Sequence, residues 1–156
     1  MPASPSGPST GATTDIKPEE LIQPERSITG ISATLLPHRP DGSVDWDGFT
    51  AHLERTLEAG LTPAVNMDTG YVNLIDPSTR EAVLDRTEEV CAGRSFVAGA
   101  FVDDAPGDPF DAEAYRRQIA RIQRRDGTPI IFQSFGLTER DPDGIVEAYR
   151  TIAEEC

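Results

Sequence analysis

What most constrains this chain is a repeat. Four apolar, β-prone runs, ITGISATLL, TPAVNM, SFVAGAFV and PIIFQSF, begin at Ile28, Thr62, Ser95 and Pro129, spaced 34, 33 and 34 residues apart. Each is followed by a turn signal and then by a stretch with helical spacing. After the first run, Trp46, Phe49, Leu53 and Leu57 fall at steps of three and four and form one apolar stripe that stops at Gly60. After the second, Ser78 stands three residues before Glu81, a capping-box pattern, with Val83 and Val90 on one face beyond it. After the third, Asp111 can cap a helix that carries Tyr115, Ile119 and Ile122 and stops near Gly127. After the fourth, Asp141 and Pro142 open a helix with the stripe Ile145, Tyr149 and Ile152.

Four βα units in a row require parallel strands covered by helices, and the right-handed crossover rule leaves an open doubly wound sheet or a (β/α)₈ barrel. A dinucleotide-binding sheet shows GxGxxG after its first strand, whereas here that turn reads LPHRPDGSVD, and no P-loop is present. Units of this length match one eighth of a barrel of ~250 residues. The expected fold is therefore α/β, of the (β/α)₈ TIM-barrel type, with only the first four βα units in this chain. Residues 1–27, with five of the 13 prolines and many Ser and Thr, read as a disordered leader; residues 28–156 read as the N-terminal half of the barrel. The terminal IVEAYRTIAEEC stops where a fifth strand is due, so a truncated product, or a half-barrel that pairs with another copy, is expected.

Composition removes several classes of function. With 14 Lys and Arg against 27 Asp and Glu, the net charge of −13 opposes binding to nucleic acid and to anionic membrane surfaces. No apolar run is long enough to span a bilayer and no signal peptide opens the chain, so a cytoplasmic location is expected. Cys91 and Cys156 suggest neither a disulfide framework nor a metal site. No cofactor is expected.

Barrel enzymes keep their chemistry at the carboxyl ends of the strands. That rule selects Leu36, Pro37 and His38 after the first strand, Asn66 to Tyr71 after the second, Asp103 and Asp104 after the third, and Gln133, Ser134 and Phe135 after the fourth. His38 and His52 form no ligand set and read as surface residues. Asp68, Asp103 and Asp104 could hold Mg²⁺ through oxygen ligands, the chemistry of a metal-dependent lyase or isomerase. Asp68 and Thr69 could equally do no more than cap the loop before the second helix.

Two long segments carry a resemblance. ITGISATLLPHRPDGSVDWDGFTAHLERTLEAG is similar to a first strand, a T-P-F type turn, D-G-x-V-D and a first helix; LTPAVNMDTGYVNLIDPSTREAVLD is similar to a strand ending in G-T-T-G-E and a helix opening L-S-x-x-E-R. Over residues 28–156 the chain resembles the dihydrodipicolinate synthase and N-acetylneuraminate lyase family, the Schiff-base aldolases of the (β/α)₈ class. The resemblance implies a lyase that condenses or cleaves carbon–carbon bonds on a 2-oxo acid or related carbonyl compound, and a homo-oligomer in the full-length form. It places G-T-T-G-E on Met67, Asp68, Thr69, Gly70 and Tyr71, so only Thr69 and Gly70 are kept. It places the paired tyrosines of P-Y-Y-N on Ser134 and Phe135, which lack the phenol. The substrate-binding candidates are Asp68, Thr69, Gly70 and Ser134. Thr69 can donate to a carboxylate oxygen; Asp68, where the family has Thr, opposes an anion.

The family's imine-forming lysine belongs to strand six, beyond Cys156, and the one lysine of this chain, Lys17, lies in the leader. No catalytic residue is expected within the chain, which alone would be inactive. A metal-dependent barrel enzyme using Asp68 and Asp103, and a half-barrel without catalysis, are the alternatives.

Overall fold

The computed structural model describes residues 17, 18, 22 and 24–155, so most of the expected leader, and Cys156, lie outside the described residues. The elements run β1 (Ile31–Ala33), α1 (Trp46–Glu58), β2 (Thr62–Val65), α2 (Pro77–Cys91), β3 (Phe96–Ala100), α3 (Ala112–Gln123), β4 (Gly127–Ile131), α4 (Phe135–Thr138) and α5 (Pro142–Glu155). The four strands form one parallel sheet in the order β1-β2-β3-β4, each beside its sequence neighbour. This is the arrangement of the first four βα units of a barrel.

Strand periodicity explains why one face of that sheet is covered. Side chains alternate across a strand, and cross-strand partners share a face. The register sets Ala33 beside Ala64, Ala64 beside Val97 and Val97 beside Thr128 in one row. The opposite face supplies Val65, Phe96, Ala98 and Ala100 to a single core cluster. Phe49 and Leu53 of α1, Val83 and Leu84 of α2, Tyr115, Ile119 and Ile122 of α3, and Ala148 and Ile152 of α5 join the same cluster. All four long helices thus cover one face. On the other face Ile31 and Leu35 are 54% and 53% exposed and Ile130 is 37% exposed.

The helices begin where short polar side chains can receive their first N–H groups. Asp45 and Asp111 cap α1 and α3, accepting from Gly48 N and Ala114 N. The cap of α2 differs from the expected Ser78 and Glu81 box. Asp76 accepts from Thr79 N, Pro77 takes the first helical position, and Ser78 lies inside the helix. Glu81 instead faces α3, pairing with Arg121 at 3.2 Å and Arg125 at 3.0 Å, while Arg125 also reaches Asp85 at 2.6 Å.

Gly127 also departs from expectation: α3 is over by Gln123, the left-handed turn residue is Asp126 with φ 57°, and Gly127 opens β4 two residues before the apolar run. Gly60 does occupy the left-handed region, φ 73°, just beyond α1. The last helix buries Ala148 and Ile152, whereas Tyr149 stays at the surface and its hydroxyl accepts from Gln133 Nε2 at 3.2 Å. No helix among the described residues is long and apolar enough to cross a membrane.

Candidate functional site

The carboxyl ends of the parallel strands lie side by side, and the segments following them hold the candidate residues. After β2 the chain turns through a 3₁₀ helix, Asp68–Gly70. Two residues without a glycine's freedom bracket it in left-handed conformations, Asn66 at φ 50° and Tyr71 at φ 58°. Each costs of the order of 1 kcal/mol, strain of a kind that concentrates at functional sites. Asn66 is buried, and its Nδ2 donates to Arg80 O at 3.1 Å. Its Oδ1 has no partner among the described residues.

Inside the turn, Thr69 N donates to Asp68 Oδ1 at 2.9 Å, and Thr69 Oγ1 donates across to Thr34 O, just past β1, at 3.5 Å. Gly70 N donates to Met67 O at 3.0 Å, Tyr71 N to Asp68 O at 2.9 Å and Val72 N to Met67 O at 3.2 Å. Asp68 is exposed, Thr69 half-buried and Gly70 buried. His38, after β1, sets its ring edge-on to Tyr71 with centroids 5.8 Å apart, and its Nδ1 lies 2.9 Å from Leu36 O.

The two aspartates after β3 have separate tasks. Asp103 pairs with Arg80 at 3.5 Å, and the same guanidinium lies 5.0 Å above the Phe101 ring. Asp104 accepts Phe135 N at 3.0 Å and Gly136 N at 2.8 Å, so its carboxylate clamps the start of α4. Ser134, buried, also serves α4: its Oγ accepts from Leu137 N at 3.3 Å, and its own N–H donates to the Tyr115 hydroxyl at 3.0 Å. That hydroxyl donates in turn to Phe132 O at 2.7 Å, and burial pushes its pKa above the ordinary tyrosine value. Phe135 is exposed.

The strand-end rule therefore found the right segments and missed their tethers. Asn66, which the rule selects, is tied to Arg80 of α2, and Tyr115 of α3 to the end of β4; Arg80 had no sequence signal and Tyr115 only that of an apolar-stripe member. A cavity of about 240 Å³ lies between α2 and α3, lined by Asn66, Arg80, Asp103, Gln118 and Arg121 among others; a second, of about 390 Å³, is lined by Asp103, Asp104, Asp108 and Asp111. Asp68, Thr69, Gly70 and Ser134 line neither. Among the described residues no group of three or more His, Cys, Asp or Glu side chains is placed to hold a metal ion.

No protein-family model matches the sequence, and no curated protein matches it. Solved structures do. A dihydrodipicolinate synthase from Oceanobacillus iheyensis matches with a TM-score of 0.66 at 22% identity, over 81% of this chain and 41% of its own. The chloride-inhibited dihydrodipicolinate synthase from Acinetobacter baumannii, complexed with pyruvate, matches with a TM-score of 0.67 at 17% identity, over 82% of this chain and 42% of its own. A monomeric dihydrodipicolinate synthase variant matches with a TM-score of 0.66 at 17% identity. This chain has the fold of the first half of those barrels. It spans about two fifths of the length of the dihydrodipicolinate synthases it matches.

Proposed function

We propose that this chain supplies the substrate-side half of a dihydrodipicolinate synthase-like lyase, which makes or breaks a carbon–carbon bond next to a carbonyl through a lysine imine. The observation that carries this reading is the strained turn 66–71 at the carboxyl end of β2, on a half-barrel with the fold of dihydrodipicolinate synthases. Thr69 and Gly70 are its substrate-binding residues, Asp68 shapes what they admit, and Ser134 acts by holding α4 in place. The substrate is a 2-oxo acid or related carbonyl compound.

The covalent step needs an amine that is neutral at working pH, which burial among apolar groups produces by disfavouring the ammonium form. Lys17 is exposed rather than buried among apolar groups. The nucleophile of the reaction is accordingly a lysine outside residues 28–156, on one of the strands that complete the barrel.

Borohydride trapping tests the reading. The 156-residue chain is incubated with pyruvate and with hydroxyacetone, alone and mixed with the last four βα units of a dihydrodipicolinate synthase, then reduced and mapped by mass spectrometry. The expected result is no adduct on the chain alone and an adduct on a lysine of the added half when both are present. An adduct on Lys17 or on the N-terminal amine of the chain alone would place the nucleophile elsewhere, and no adduct from the mixture with either carbonyl would remove the imine chemistry.

A further inference from the structure

The donors at the end of β2 are already occupied. The N–H groups of Thr69, Gly70, Tyr71 and Val72 all bond within the turn, and the Thr69 hydroxyl is given to Thr34 O. The group that takes the Thr69 N–H is itself a carboxylate, that of Asp68, at 2.9 Å. An incoming carboxylate would have to displace that internal anion from the same donor, and then lie beside its negative charge.

The surrounding cations offer no compensation. Arg39, after β1, pairs with Asp45 at 3.5 Å, and Arg80, in the first turns of α2, pairs with Asp103 at 3.5 Å. Asp68 forms no ion pair among the described residues, and the chain as a whole carries a net charge of −13. Carboxylates thus outweigh cations around the strand ends, a field that lowers the local concentration of anions and leaves neutral molecules unaffected.

We infer that Asp68 determines the specificity of this site, and that the carbonyl compound taken here is an uncharged ketone or aldehyde rather than a 2-oxo acid. This rests on the proposed carbonyl chemistry and narrows its substrate class. Thr69 Oγ1, bonded to Thr34 O at the long distance of 3.5 Å, is the donor most easily turned toward a neutral carbonyl oxygen. Thr69 N remains held by Asp68.

The test compares two probes of similar size, hydroxyacetone and pyruvate, by amide chemical-shift titration of the ¹⁵N-labelled 156-residue chain. Hydroxyacetone is expected to shift the Thr69 and Gly70 amides at concentrations where pyruvate leaves them unmoved. In Asp68→Thr, which removes the internal anion, pyruvate should bind about tenfold more tightly than to the parent chain. Asp68→Asn, isosteric and still able to accept from Thr69 N, should recover part of that gain through loss of charge alone, and it serves if the Thr variant does not fold.

Pyruvate shifting the parent amides at or below the concentration that hydroxyacetone needs overturns the inference while leaving a carbonyl site in place. No gain for pyruvate in either variant overturns the role given to Asp68. If neither compound binds any of the three proteins, the carbonyl reading falls together with the inference.

Discussion

Asp76 shows how much one exposed side chain can contribute at a helix start. It accepts from Ser78 Oγ, from Thr79 N and from Thr79 Oγ1, and these bonds hold its carboxyl well below the usual carboxylate range. In the unfolded chain the same group titrates near ~3.9. A folded pKa below the unfolded one means that the ionised cap adds stability above about pH 4, and that this contribution is lost as pH falls through the folded value. Asp76→Asn, which can still cap but cannot ionise, should therefore flatten the acid limb of the stability curve below about pH 4, read by urea unfolding at a series of pH values. An acid limb as steep as the parent's would mean that other carboxylates set it. Asp111 was legible as a cap because it directly precedes its helix. Asp76 was masked because Ser78 and Glu81 happen to fit a capping box, while Glu81 is drawn away by Arg121 and Arg125. Tyr115 was visible as an apolar stripe member, but the bonds of its hydroxyl to Phe132 and Ser134 depend on the return of the chain in β4, which local spacing does not encode.

Among the elements, the strands and long helices followed from periodicity, while their ends and the short α4 did not. α4 exists because Asp104, from the segment after β3, and Ser134 both receive its first N–H groups, a contact between distant parts of the chain. The closeness of β2 and β3 depends on Gly99. A Cβ there would sit 2.2 Å from Asn66 O and 2.8 Å from Phe132 Cε2, so backbone would have to move. Gly99→Ala is expected to cost about 1–3 kcal/mol, the usual range for overpacking, and to disturb the 66–71 turn with it. Denaturant midpoints measure the first effect, and amide shifts at Thr69 and Gly70 the second. A change under about 0.5 kcal/mol, the size typical of surface substitutions, would show that the strands separate without difficulty.

Within residues 24–155, β1 and β4 stand at the two edges of the sheet, and along these outer strands apolar side chains on the face opposite the long helices are exposed. Ile31, Leu35 and Ile130 stand on that face, and exposed apolar strands invite association. Leu35→Glu with Ile130→Glu should reduce self-association of the 156-residue chain in sedimentation, while changing its unfolding free energy by no more than about 1 kcal/mol in total, since neither residue belongs to the core cluster. Large destabilisation instead would mean that this face is packed in solution. The half-barrel architecture was readable in the even spacing of the runs, because a period of about 33 residues is a property of the whole chain and survives errors of two or three residues at every element end.

That even spacing, realised as strands laid down in the order β1-β2-β3-β4, also bears on synthesis. Each strand finds its partner one unit back in the chain, and no strand must wait for a later one to be inserted between it and its neighbour. A chain leaving the ribosome can add one strand and its covering helix at a time, with loop closures of one unit's length at each step. Up to β4, the edge of the newest strand is the one that the next strand occupies within seconds of translation, while the edge of β1 stays open throughout.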